Sequence, residues 1–309
     1  MRPRSVRGLA AAVIAVILTG CAASAPPASP PTASAPRGGA AQAYVDVGLA
    51  GQASPFEAYT RRAAAIDPGF ANPSQLGERL RTAAGYEPKQ LESAMIAYAA
   101  LAALQEPRFV QAIRTQASKG GGRDLARRLA QDPDAALALP GGSAAAARAN
   151  AAVARRGEAL ANAGAQVKKT SYSIQRQSWS RARISNGPQR LAAVKQAAGY
   201  RAEPADRAQL TQALAEGGRR NGASPVVSRG VAVAALTVLG RDAEAKRLMT
   251  DRNAGQCLRM AKLNYHQCLA AAGTHYEDVY CLGVHAMTDP GQCVVDAAKA
   301  PRSVRRAGL

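Results

Sequence analysis

The sequence predicts an all-α protein, a helical bundle or array with a C-terminal disulfide-stapled helical hairpin. From residue 54 onward, apolar residues recur at the i+3 and i+4 spacing of amphipathic helices. No segment shows the period-2 alternation between turn signals that indicates paired strands. Four cysteines cluster in residues 257–293. Because aromatic residues make up only 4% of the chain, we expect a core of Ala, Leu and Val in which helices approach closely.

The first helical region is predicted to cover residues 41–140. Turn and capping signals, most of which contain proline, divide it into helices. Gly120-Gly121-Gly122 predicts a joint, followed by a short helix over 123–131. The signals that start or stop the earlier helices are Ser54-Pro55, Asp67-Pro68-Gly69, Asn72-Pro73, Gly85-Tyr86, Pro88 and Glu106-Pro107.

A basic helical region is predicted for residues 141–250. Ser143 is expected to cap a long Ala-rich helix that runs at least to Lys168, with Arg183 as its furthest end. Shorter helices are expected near 187–198, 205–216 and 225–239, and a last one passes through Ala243 to Met249.

The end of the long helix carries the strongest candidate binding surface, which we call the basic–aromatic strip. On an unbroken helix, Tyr172 and Trp179 are seven residues apart and share one face. Aromatic rings beside cations suit a partner with anionic groups. The alternative is that Tyr172, Ile174 and Trp179 face the core while the charges face water. The strip consists of Lys168, Lys169, Tyr172, Arg176, Trp179, Arg181 and Arg183.

The stapled hairpin is predicted for residues 251–300. Residues 256–272 form its first helix, and Thr274 with Glu277 predicts a capping box that opens the second. In the nested pairing, Cys268 joins Cys281 and Cys257 joins Cys293, and the sequence midpoint of each pair falls at this turn. Sequential pairing would join cysteines about 16 Å apart along one helix, and crossed pairing has midpoints inside helices. The outer pair spans a further turn signal, because Asp289-Pro290 is expected to end the second helix and cap a short third one.

One short sequence occurs twice, as Ala83-Ala84-Gly85-Tyr86 and as Ala197-Ala198-Gly199-Tyr200. A duplicated helical unit is one interpretation. Chance in an Ala-rich chain is the simpler one, and the spacing matches no standard helical repeat.

No motif for catalysis, a metal or a cofactor is predicted. Glu92-Ser93 resembles the Glu-Ser pair of lytic transglycosylases, but no Gly-Leu-Met-Gln segment follows. Cys281 and His285 have the i,i+4 spacing of helical zinc ligands, yet exported thiols generally form disulfides. The sequence contains no GxSxG, and the Gly120 segment lacks the GK[ST] ending of a phosphate loop.

The N terminus carries a predicted targeting signal. Arg2, Arg4 and Arg7 precede an apolar segment over 9–18, whose length suits a secretory signal and is too short to span a bilayer. Leu18-Thr19-Gly20-Cys21 then resembles the lipobox of bacterial lipoproteins.

This resemblance implies a signal peptide over residues 1–20 and acylation of Cys21. In lipoproteins, an Asp after that cysteine often causes inner-membrane retention, so Ala22 implies the outer membrane, facing the periplasm. Residues 21–40 follow as a Pro/Ala/Ser tether that is too poor in apolar side chains to fold.

The net charge of the chain limits the classes of partner that we expect. The chain carries +19, or +16 without residues 1–20, and residues 144–190 hold nine basic residues against Glu158 alone. The tail over 301–309 adds three arginines. An exported lipoprotein has little access to nucleic acid, so we expect the bilayer itself and an anionic envelope component or envelope protein as partners.

The sequence-based hypothesis is therefore a non-enzymatic adaptor or accessory subunit of a cell-envelope assembly. Direct binding to peptidoglycan or anionic lipid is the alternative, and a cell-wall hydrolase is less favoured.

Overall fold

Helices make up the fold, as predicted, in the computed structural model, which describes residues 47–299. Within that range there is no β-strand, and the only extended pairing is an antiparallel bridge between Arg183 and Thr274. The α-helices are α1 Val47–Ala64, α2 Pro73–Ala83, α3 Pro88–Ala103, α4 Pro107–Gln116, α5 Gly122–Gln131, α6 Gly142–Ser173, α7 Ser178–Arg181, α8 Gly187–Gln196, α9 Asp206–Ala215, α10 Pro225–Val238, α11 Asp242–Arg247, α12 Arg252–Ala271, α13 His275–Cys281 and α14 Asp289–Ala298. The 3₁₀ segments are Pro133–Ala138 and Ile174–Arg176, and the π-helical segments are Ala117–Gly121 and Leu282–Thr288.

The predicted signal peptide, Cys21 with its tether, and the basic tail over 301–309 lie outside the described residues. The described residues all belong to one compact unit.

Helix α3 forms the centre of the core. Most of its side chains are buried on all sides, and it packs against α1, α6, α10 and α12. A helix that is apolar on all sides is buried at the centre of a bundle, because none of its faces requires contact with water.

The predicted start of the first helix is wrong. The helix already begins at Val47 and contains Pro55, where the sequence predicted a boundary. The Ser54 hydroxyl donates to the carbonyl of Ala50 at 2.8 Å. Proline inside a helix costs about 3 kcal/mol, and complete burial of Ala53 and Phe56 on this helix offsets that cost.

The long helix ends within its predicted range, between Lys168 and Arg183, but the predicted cap at Ser143 is wrong, because Ser143 already lies inside the helix. The helix begins at Gly142 and ends at Ser173, ten residues before Arg183. Hydroxyl groups explain the C-terminal end: Ser171 donates to the carbonyl of Lys168 at 2.7 Å, and Ser173 donates to that of Thr170 at 2.9 Å. Such bonds compete with the backbone for the last carbonyls of a helix.

The C-terminal hairpin is stapled twice, as predicted. Cys257–Cys293 and Cys268–Cys281 join its arms with Cα–Cα distances of 5.7 and 5.6 Å. The predicted break at Asp289 is wrong, because the chain stays helical from α13 through Leu282–Thr288 into α14. Pro290 has no N–H for the carbonyl of Ala286, and the buried hydroxyl of Tyr59 donates to that carbonyl at 3.0 Å.

The second arm of the hairpin lies directly against α6 through glycines. A Cβ on Gly164 would come within 2.6 Å of the Thr288 nitrogen and 2.7 Å of the Gly283 carbonyl oxygen. A Cβ on Gly291 would come within 2.5 Å of the Ala161 nitrogen. Only glycine permits this backbone contact, which sets the distance between the end of α6 and the hairpin.

Candidate functional site

The five cations of the basic–aromatic strip are exposed. Lys168 and Lys169 lie in the last turns of α6, and the three arginines lie beyond its end. Within the described part of the chain, none of them forms an ion pair, although Lys168 Nζ lies 5.9 Å from the ring centroid of Tyr280. These unpaired cations are Lys168, Lys169, Arg176, Arg181 and Arg183.

The aromatic residues of the strip do not share a helix face, so that predicted geometry is wrong. Because α6 ends at Ser173, Tyr172 and Trp179 belong to different elements. Tyr172 is 56% exposed, whereas Ile174 is buried. Trp179 is half-buried: its indole N–H donates to Gln177 at 2.5 Å, and its ring lies 6.2 Å from that of His275.

The hairpin supplies two further aromatic residues, which sequence reasoning missed. Tyr172, Tyr276 and Tyr280 line a cavity of about 280 Å³ that we call the tyrosine groove, and the disulfide Cys268–Cys281 also lines it. The rings of Tyr172 and Tyr280 meet edge to face at 6.3 Å between centroids. The available signal was the i,i+4 spacing of Tyr276 and Tyr280 on α13.

The segment after α7 is bound to the tip of the hairpin. The Ile184 N–H donates to the Gly273 carbonyl at 3.0 Å, next to the Arg183–Thr274 bridge. The carboxylate of Glu277 accepts from the N–H groups of Gly273 and Thr274 at 2.7 and 2.9 Å, which is the carboxylate half of the predicted capping box.

A buried ion pair joins α8 to α13 near this tip. Arg190 Nη1 lies 2.7 Å from Asp278 Oδ2, and the Asp278 side chain is 1% exposed. Burial raises the pKa of Asp278 to about 7, and the positive charge of Arg190 acts in the opposite direction. Burial also lowers the pKa of His275, so its imidazole is mainly uncharged at neutral pH.

Glu92, which the sequence associated with lytic transglycosylases, is a buried structural residue. Its side chain packs against Gly255, and its carboxylate accepts a hydrogen bond from the backbone N–H of Asp251, the N-cap of α12. Burial raises the pKa of Glu92. Glu92 thus fixes the start of the first hairpin helix to α3.

The zinc alternative for Cys281 and His285 is wrong, because the sulfur of Cys281 is in a disulfide. His285 Nδ1 instead lies 2.7 Å from Asp289 Oδ2. Within residues 47–299, no group of three or more His, Cys, Asp or Glu side chains is placed to hold a metal ion.

Among the helices of residues 47–299, none combines the length and apolar content needed to span a bilayer. Comparison with protein-family models, curated proteins and solved structures gives no match to this chain.

Proposed function

We propose that this protein is a non-enzymatic lipoprotein, anchored to the periplasmic face of the outer membrane through Cys21, that serves as an adaptor in a cell-envelope assembly. The basic–aromatic strip and the tyrosine groove form its binding surface for an anionic partner. The observation that carries this proposal is a set of five exposed cations, without ion pairs among the described residues, in the same segment as Tyr172 of the tyrosine groove, with Lys168 Nζ 5.9 Å from the ring of Tyr280.

Electrostatics favours an external partner for the strip. Two acidic residues of hairpin helix α13 have partners of their own, since Asp278 pairs with Arg190 and Glu277 accepts from backbone N–H groups. None of the five cations of the strip forms an ion pair among the described residues, so their excess positive charge steers an acidic partner toward them, although Glu277 also lines the tyrosine groove.

The tyrosine groove offers apolar contact area to a partner, which charged groups alone do not provide. Tyrosines are enriched at binding interfaces because they bury a large apolar area at small entropic cost and keep a polar hydroxyl. Two disulfides and the backbone contact with α6 hold these rings on a rigid platform. This arrangement fits an envelope protein that presents an apolar side chain among carboxylates.

Direct binding to peptidoglycan is the second candidate, and the exposed ring of Tyr172 supports it. Aromatic faces stack on sugar rings, and peptidoglycan stems carry carboxylates that suit the neighbouring lysines. The two candidates differ in what co-purifies with the protein.

Sedimentation and crosslinking on the full chain separate them. In the test variant, Lys168, Lys169 and Arg176 are replaced by Gln. In the control variant, Lys119, Arg123 and Arg128, which are exposed and lie elsewhere, are replaced by Gln. For the adaptor, we expect crosslinking in cells to a defined protein, lost in the test variant and kept in the control. Co-sedimentation with purified sacculi, lost selectively in the test variant, would instead support the wall-binding candidate.

Equal loss of binding in both variants would contradict a role for the strip, because it would indicate diffuse attraction by net charge. Release of soluble fragments from the sacculi by the purified protein would contradict the non-enzymatic proposal.

A further inference from the structure

Helices α2 and α8 lie side by side and enclose a polar groove on a part of the surface that the proposed function does not use. The groove contains two cavities, of about 340 and about 500 Å³. Arg81 of α2 and Ala193 of α8 line both cavities, so the two are neighbouring parts of one groove.

The two helices are the ones that carry the repeated sequence. Asn72 precedes α2 and Asn186 precedes α8, at the same spacing of 114 residues that separates Tyr86 from Tyr200. The glycines of the repeat, Gly85 and Gly199, both line the larger cavity. The repeat therefore marks two helices whose C-terminal ends face one common site.

Three arginines line this larger cavity, and they differ in their partners. Arg62 is neutralised, with Nη2 at 2.9 Å from both Asp206 and Glu203. Arg81 and Arg201 are exposed, and neither side chain has an ion pair or a hydrogen bond among the described residues. Two arginines without side-chain partners among the described residues thus line one cavity, Arg81 from α2 and Arg201 from the loop after α8.

We propose that the larger cavity binds a phosphomonoester group between Arg81 and Arg201. A phosphomonoester carries nearly two negative charges at neutral pH and three acceptor oxygens. It therefore matches two guanidinium groups, each of which donates in a planar fork. The volume of the cavity leaves room for a small organic group bonded to the phosphate, beside the ring of Tyr200.

Phosphorus NMR tests this assignment on the full chain with glycerol phosphate as the probe. We expect its resonance to broaden on addition of the protein. Arg81→Gln and Arg201→Gln should each weaken binding about tenfold, since each removes one charge-assisted contact. Both positions are exposed and unpaired, so neither variant should lose its fold, which circular dichroism checks.

Arg207→Gln is the matched control. It removes one exposed positive charge next to the same loop but outside the cavity lining, and binding should stay unchanged. Glu203→Gln should strengthen binding, because Glu203 is the one carboxylate among the described residues that line the larger cavity. Absence of broadening at millimolar probe, or equal weakening in Arg207→Gln, would overturn the proposal.

Two competitors identify the source of the phosphate. Succinate, a dicarboxylate of the same charge, should displace the probe poorly, and displacement as efficient as by inorganic phosphate would overturn the choice of a phosphomonoester. Vesicles that contain phosphatidate displace the probe in an Arg81-dependent way only if a lipid headgroup enters the cavity. Failure of these tests leaves the basic–aromatic strip unaffected, because no residue is shared between the two sites.

Discussion

At the scale of single residues, a buried ion pair joins α8 to the hairpin. Arg190 lies on α8 and Asp278 lies on α13, the helix that follows Thr274, which is bridged to Arg183. Removing one partner of a buried ion pair destabilises the fold by more than the intact pair stabilises it, because the remaining charge stays buried without a partner. The pair therefore fixes α8 to the second arm of the hairpin.

Asp278 makes the stability of the protein pH-dependent. Its pKa rises from 3.8 in the unfolded chain to about 7 in the fold. Its stabilising contribution is therefore complete below about pH 4 and is lost as the pH rises to about 7. In Asp278→Asn, we expect this decline to disappear, so that the free energy of unfolding, relative to the natural chain, rises by a few kcal/mol across the interval.

Urea denaturation at a series of pH values measures this difference. Asp278→Asn also weakens the bond to Arg190 at every pH, so the slope is the informative quantity. Parallel curves for the two proteins would contradict the raised pKa.

At the scale of helices, the sequence predicts most elements but misses boundaries that tertiary contacts decide. Proline marks the starts of α2, α3, α4 and α10 correctly, because position N1 needs no N–H. Pro55 and Pro290 lie inside helical segments instead. The hydroxyl of Tyr59, more than two hundred residues away in sequence, binds the carbonyl that Pro290 leaves free, and no local pattern contains that information.

The proposed binding surface also divides into a part that the sequence predicts and a part that it does not. The positions of the five cations follow from the sequence, and their exposure agrees with a charged, solvated segment. The tyrosine groove was not predictable, because Tyr172 meets Tyr276 and Tyr280 only through the packing of α6 on the hairpin. The disulfides were predictable, since helix geometry alone favours one of three pairings.

The glycine contact between α6 and the second hairpin arm should be intolerant of a single methyl group. In Gly164→Ala, the new Cβ meets backbone atoms of Gly283 and Thr288, which cannot rotate away. We expect a loss of about 1–3 kcal/mol in the free energy of unfolding.

Gly51→Ala is the matched control, since Gly51 lies in α1 and a Cβ there meets nothing within 4 Å. It should raise stability by about 0.5–1 kcal/mol through helix propensity. Thermal denaturation of both variants tests this, and an equal effect of the two would contradict the close contact.

At the scale of the whole molecule, the hairpin is a covalently closed platform against which the rest of the chain packs. Its first helix is fixed to α3 through Glu92, and its second arm is fixed to α1 through Tyr59 and to α6 through glycine contacts. Both candidate surfaces depend on it, since Tyr276 and Tyr280 belong to it and Asp278 lines the groove between α2 and α8.

The two disulfides should differ in what their removal changes. Their sequence separations of 36 and 13 residues give losses of about 4 kcal/mol for Cys257–Cys293 and about 3 kcal/mol for Cys268–Cys281, from the entropy of the opened chain. Replacement of each pair by Ser, followed by urea denaturation without reductant, measures these losses. Because only Cys268–Cys281 lines the tyrosine groove, its removal should also weaken partner binding under conditions where both variants are folded. Equal partner binding by the two folded variants would contradict the assignment of the groove to the binding surface.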